Sequence, residues 1–143
     1  LGIKTMQEVW NNTAPGIRVL SFSLEGKSEL TRLDTGRHQF DPVDLGDITI
    51  NASLADEGVG LYHGAPCGVC HGGKVNNSGA AAPDLRGAYS VTDFETFRAM
   101  TQDGLLVENG MPQFDDLTVD EVRAIYEYVR QETKKAYDAR AGT

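Results

Sequence analysis

The chain has 143 residues, 40% apolar and 24% charged, with a formal charge of −8. That length allows one domain, or one domain with an extension, and a core that needs no disulfides to fold. The acidic balance, with nothing like a basic stripe, argues against nucleic acid and suits a soluble carrier or a partner with a basic patch.

No apolar run approaches the roughly 18 residues of a membrane span. Lys4, Glu8 and Arg18 interrupt any apolar stretch that could follow Leu1 as a signal peptide. An exported chain whose leader has been removed and a cytosolic chain read alike at this level.

In chain order, residues 1–50 lack long helical periodicity and are rich in turn formers. Ile17, Val19, Phe22 and Leu24 alternate in part, which predicts a strand or two within 16–26. Trp10 is expected in a core. Asp41, Asp44 and Asp47 surround Pro42 and Gly46, but not with the spacing of a calcium loop. They read as a solvated acidic turn, followed by a short strand-like "DITI" at 47–50.

Helices read more clearly from residue 51. Ser53 is the predicted N-cap of the first, with Asp56 and Glu57 in its first turn. Gly58 and Gly60 cost propensity there and require a packing reason. Residues 71–90 are mostly Gly, Asn, Ser, Ala and Pro, a loop long enough to expect a ligand against it. A second helix is predicted over 92–102, capped by Thr92 and Glu95, with Phe94, Phe97 and Met100 on its apolar face. The clearest helix spans 117–131. Thr118 and Glu121 form a capping box, Leu117 and Val122 a hydrophobic staple, and Val122, Ile125, Tyr126 and Val129 an apolar stripe. The tail after it reads as frayed and solvated.

Cys67 and Cys70, the only cysteines, stand in "APCGVCHGG" with His71 directly after them. A redox disulfide of this spacing belongs after a strand in a βαβ unit, and here a helix precedes it. A structural zinc site wants four ligands, typically two such pairs, and only His38 and His63 remain to complete one. Cys-X-X-Cys-His is also the attachment signal of haem c. Two thiols at this spacing reach both vinyl groups from one turn of backbone, and the histidine then lies under the iron. Five residues alone leave the choice open, so the rest of the domain must decide it. A haem that only carries electrons wants a second axial ligand. Met6 lies in the irregular N-terminal region and Met100 on an apolar helix face, whereas Met111 sits in "GMP", a loop set by Gly110 and Pro112.

These elements together resemble the class I c-type cytochromes. A helix with Gly58 and Tyr62 precedes Cys67, Cys70 and His71; then follow "APDLRG" (82–87), a middle helix, "GMP" (110–112) and a last helix with Tyr128. The resemblance covers about residues 53–131. Within the class, the chain looks most like the cytochrome domains and subunits that serve quinoprotein alcohol dehydrogenases. One more residue than expected separates Tyr62 from Cys67, and the N-terminal fifty residues have no counterpart in the minimal family fold.

The resemblance implies an all-α cytochrome c core of three to five helices over 51–143, with an irregular, partly β extension over 1–50. It implies one haem c, covalent through Cys67 and Cys70, with His71 and Met111 on the iron. Gly58 should meet Tyr128, and the Pro83 carbonyl should accept from His71. Leu85 should line the pocket, and Arg86 should either meet a propionate or stand solvated. The function implied is transfer of single electrons from a quinoprotein dehydrogenase to an oxidase or another cytochrome, in the periplasm and without bond chemistry. The rival readings are a peroxidase-type enzyme and a gas-sensing module; both need an open distal site, and the enzyme also a distal histidine, with His38 and His63 as candidates.

Overall fold

The computed structural model describes residues 41–77 and 82–142. Four α-helices organise them: α1 (Ala52–Gly64), α2 (Cys67–His71), α3 (Phe94–Thr101) and α4 (Val119–Ala141). Short 3-10 turns at Gly73–Val75, Leu85–Gly87, Tyr89–Thr92 and Val107–Asn109 carry the chain between them. The described residues contain no strand, as an all-α core requires. The predicted strands in 16–26, with Met6, Trp10 and His38, lie outside the described residues.

The strand-like 47–50 is unpaired chain leading into α1. Without a neighbouring strand its alternation has no ladder to join. The cap of α1 is Asn51 rather than Ser53: its Oδ1 accepts from the Leu54 N–H at 3.2 Å. The earlier start leaves Asp56 and Glu57 beyond the first turn. Ala55, Gly58 and Tyr62 form the buried face of α1 and lie against α4. A Cβ on Gly58 would run into the Ala124 carbonyl and sit 2.9 Å from Tyr128 Cβ. Only glycine lets the two backbones come this close. The expected meeting of Gly58 and Tyr128 is therefore present, and Tyr62 stacks edge-on to Tyr128 with centroids 5.4 Å apart.

The extra residue between Tyr62 and Cys67 is absorbed in a break. Helix α1 ends at Gly64, Ala65 and Pro66 leave helical geometry, and α2 begins afresh at Cys67.

The cap of α3 also differs from the sequence reading. Asp93 accepts from the Thr96 N–H at 2.7 Å, whereas the Thr92 hydroxyl donates back to the Tyr89 carbonyl. Carboxylates and hydroxyls both cap helices, and here the carboxylate lies one residue closer. Phe94 and Phe97 pack against Tyr126 of α4, with centroids 5.4 and 5.3 Å away.

Helix α4 starts as expected. Thr118 and Glu121 form a reciprocal capping box, and Leu117 packs on the core that holds Val122. It does not stop near residue 131 but continues to Ala141. Thr133 is fully buried, the Tyr137 hydroxyl donates to Asp44 Oδ2 at 2.9 Å, and Arg140 pairs with Asp41. The tail read as frayed is thus held by the acidic turn read as solvated.

Candidate functional site

A cavity of about 300 Å³ opens between these elements. Its walls are Tyr62 of α1, Cys67 and His71 of α2, Pro83, Leu85, Ala88, Tyr89 and Ser90 of the connecting turns, and Phe97, Met100 and Thr101 of α3. Leu106, Met111, Phe114 and Leu117 of the following loop, with Val122 and Ile125 of α4, close it. The lining is almost wholly apolar, with a few polar or sulfur atoms, which is the build of a small-molecule or cofactor site.

His71 is buried at the end of α2. Its Nδ1 lies 2.8 Å from the Pro83 carbonyl oxygen. A carbonyl only accepts, so Nδ1 carries the proton and donates, leaving the Nε2 lone pair for a metal. Burial pushes the imidazole pKa down, and the Pro83 bond opposes this only in part. The neutral ring is the form that binds metal. Behind it, the Tyr62 hydroxyl donates to the Gly72 carbonyl at 2.9 Å, fixing the exit of the chain from α2.

Cys67 lines the cavity and Cys70 does not, and no disulfide joins them. Burial pushes the Cys67 thiol up to about 11. Redox-active Cys-X-X-Cys pairs work through a lowered thiol pKa, so this environment is the opposite of the one that chemistry needs. Among the described residues, no group of three or more His, Cys, Asp and Glu could hold a metal ion, which leaves the zinc reading without ligands there.

Met111 enters the cavity from a tightly tied loop. Leu105 N–H bonds back to Ala99, Met111 N–H to Leu106 at 3.2 Å, and Phe114 N–H to Thr101 at 3.0 Å. Gly110, just before it, holds φ 90°, a left-handed conformation that glycine adopts without strain. Met100, expected in packed core, is a second thioether in the cavity wall. Its helical face was read correctly, but the face borders a cavity rather than solid protein.

Leu85 stands in the wall as expected. Arg86 is absent from it. Its guanidinium forks onto Asp84, with Nε to Oδ1 at 2.9 Å and Nη2 to Oδ2 at 2.7 Å. His63 is exposed on α1, beside Tyr62 and outside the cavity wall.

The sequence reading passed over Asp84 and Glu127. Glu127 is buried on α4, accepts the Asn51 N–H at 3.0 Å and pairs with Arg130 at 2.6 Å, tying the cap of α1 to α4. Its only signal was an acidic residue inside an otherwise apolar run.

Comparison with known proteins agrees with this geometry. The family model described as cytochrome c oxidase, cbb3-type, subunit III matches residues 53–129, more than half the chain. Quinohemoprotein alcohol dehydrogenase ADH IIB of Pseudomonas putida is 34% identical over 97% of this chain and 20% of its own length. Lupanine 17-hydroxylase [cytochrome c] of a Pseudomonas species is 27% identical over 96% of this chain and 19% of its own length. The chain thus spans about a fifth of the length of these curated relatives.

A buried neutral imidazole with one nitrogen free, thioethers and a thiol in a shared apolar wall form a donor set that suits haem. The cavity, its donors and the match over 53–129 all point one way: this chain belongs to the cytochrome c family, and its cofactor is haem c.

Proposed function

We propose that the chain is a single-electron carrier whose haem c is bound through thioethers at Cys67 and Cys70, with His71 Nε2 and the Met111 thioether as axial ligands. The observation that carries this reading is the Nδ1 bond from His71 to the Pro83 carbonyl, made in the wall of a cavity that Met111 shares. Haem c, once bound, supplies an iron that alternates between the ferrous and ferric states.

The residues keep that alternation simple. Pro83 fixes the tautomer and plane of His71, so the ring need not turn between redox states. The hydrogen-bonded loop from Leu105 to Phe114 holds Met111 in place through both. Phe97, Leu106, Phe114, Val122 and Ile125 give the pocket an apolar wall that disfavours water. A rigid, dry site needs little rearrangement on electron transfer, while ligand type and burial set the potential.

The cytochrome domain is taken as 51–143 and residues 1–50 as an extension; the family match beginning at residue 53 supports this division. The similarity to a quinohemoprotein alcohol dehydrogenase supports a quinoprotein dehydrogenase as electron donor, and the acceptor is then an oxidase or another cytochrome. Haem c attachment supports a periplasmic location after export. No helix among the described residues is long and apolar enough to cross a membrane.

The test is the optical spectrum of the purified protein in both redox states, with a carbon monoxide titration. A low-spin c-type spectrum is expected, with a weak thioether-to-ferric-iron band and little response to carbon monoxide. Met111→Ala should abolish that band and open the iron, whereas Met100→Leu should leave both unchanged. If Met100→Leu removes the band instead, the distal ligand is on α3. A wild-type protein that is high-spin and binds carbon monoxide rapidly overturns the carrier reading.

A further inference from the structure

Four consecutive residues, Pro83 to Arg86, combine several roles. Pro83 gives its carbonyl to His71 and Leu85 gives its side chain to the cavity wall. Between them Asp84 turns its carboxylate away from the cavity and gathers four donors. Oδ1 accepts from the Arg86 N–H at 3.1 Å and from Arg86 Nε at 2.9 Å. Oδ2 accepts from the Asn77 N–H at 3.2 Å and from Arg86 Nη2 at 2.7 Å. The two side chains are each 17% exposed, so water screens the pair only partly. The Arg86 carbonyl in turn accepts from the Val43 N–H at 2.9 Å, which ties the turn to the N-terminal segment.

The carboxylate is therefore one peptide unit from the carbonyl that orients His71. It also anchors Asn77, six residues beyond His71 on the other side of the loop. We infer that Asp84 and Arg86 form a charge dyad that positions the Pro83 carbonyl and sets the reduction potential of the haem held by His71. This inference rests on the ligand set proposed above.

The sign for each partner follows from electrostatics. A negative charge behind the His71–Pro83 bond makes the imidazole a stronger donor to iron and favours the ferric state. Asp84 thus lowers the potential and Arg86 raises it, and the fork holds the two effects in balance. Both act through Pro83 and through the field at His71.

The experiment is a spectroelectrochemical titration of the holoprotein and three variants. Asp84→Asn keeps a capping oxygen for the Arg86 N–H and removes the charge, so the midpoint should shift upward. Arg86→Gln leaves the carboxylate uncompensated, so the midpoint should shift downward. The double variant should return toward wild type. Asp138→Asn, 13 residues and about 20 Å of helix beyond Ile125, is the control for a general charge effect and should shift it least. A variant that merely loosens the fold would move both single mutants the same way. Two shifts of the same sign, or shifts no larger than that of Asp138→Asn, overturn the dyad while the wild-type low-spin spectrum stands. Loss of that spectrum in the wild type itself would count against His71 ligation instead.

Discussion

Gly58 and His71 show how single residues bound what this chain can do. Gly58 gives up helix propensity so that α1 can lie on the Ala124 carbonyl. Alanine there should gain propensity and still lose stability, because the added methyl must push two helices apart. A net loss of about 1–3 kcal/mol is expected, read as a lower denaturant midpoint. His71 and Gly58 were legible because one stands beside the cysteines and the other carries a cost needing a reason, whereas Pro83 and Leu85 came only through the family resemblance. The roles of Asp84 and Arg86 were not legible. Arg86 was read alone, toward a propionate or water, and Asp84 was passed over, because only the fold shows the acid gathering backbone N–H groups. Met100 was placed on the correct face, but periodicity does not say whether an apolar face meets protein or cavity.

At the scale of elements, caps and ends depend on competition that periodicity does not record. Asn51 and Asp93 took the caps assigned to Ser53 and Thr92. The start of α4 was legible because its capping box and staple are local. Its end was not, because what holds it, Asp41 and Asp44, lies almost a hundred residues earlier in the sequence. The hydrogen bonds from the Gly46 N–H and the Tyr137 hydroxyl lower the Asp44 pKa below its ordinary value. A carboxylate whose folded pKa is depressed contributes its stabilisation above the ordinary value of 3.8 and loses it as pH falls through the folded pKa. Amide exchange near Tyr137 should therefore speed up, relative to the rest of α4, as pH drops into that acidic range. Asp44→Asn should show fast exchange there across the whole range. Equal protection in the two proteins at neutral pH would remove Asp44 as the anchor.

Across the whole molecule, the charge is unevenly placed. Between Arg98 and Arg123 the chain carries Asp103, Glu108, Asp115, Asp116, Asp120 and Glu121 and no lysine or arginine. This stretch contains Met111, and it exposes Leu105 and Val107 at 61% and 50%. An apolar patch in an acidic surround favours a brief encounter with a basic redox partner. The rate of electron transfer to such a partner should fall as salt rises. Neutralising Glu108 and Asp116 together should slow it severalfold at low salt and leave the haem spectrum unchanged. A rate indifferent to both would place docking on another face.

The close seat of α1 on α4 has a consequence for how the cofactor is kept. Gly58 and Tyr128 are 70 residues apart in sequence, and every cavity-lining segment from Cys67 to Ile125 lies on the chain between them. That contact works as a clasp on a closed loop: neither helix can lift away without unfastening the walls of the pocket. Fraying of that contact would then also give solvent a way to the haem.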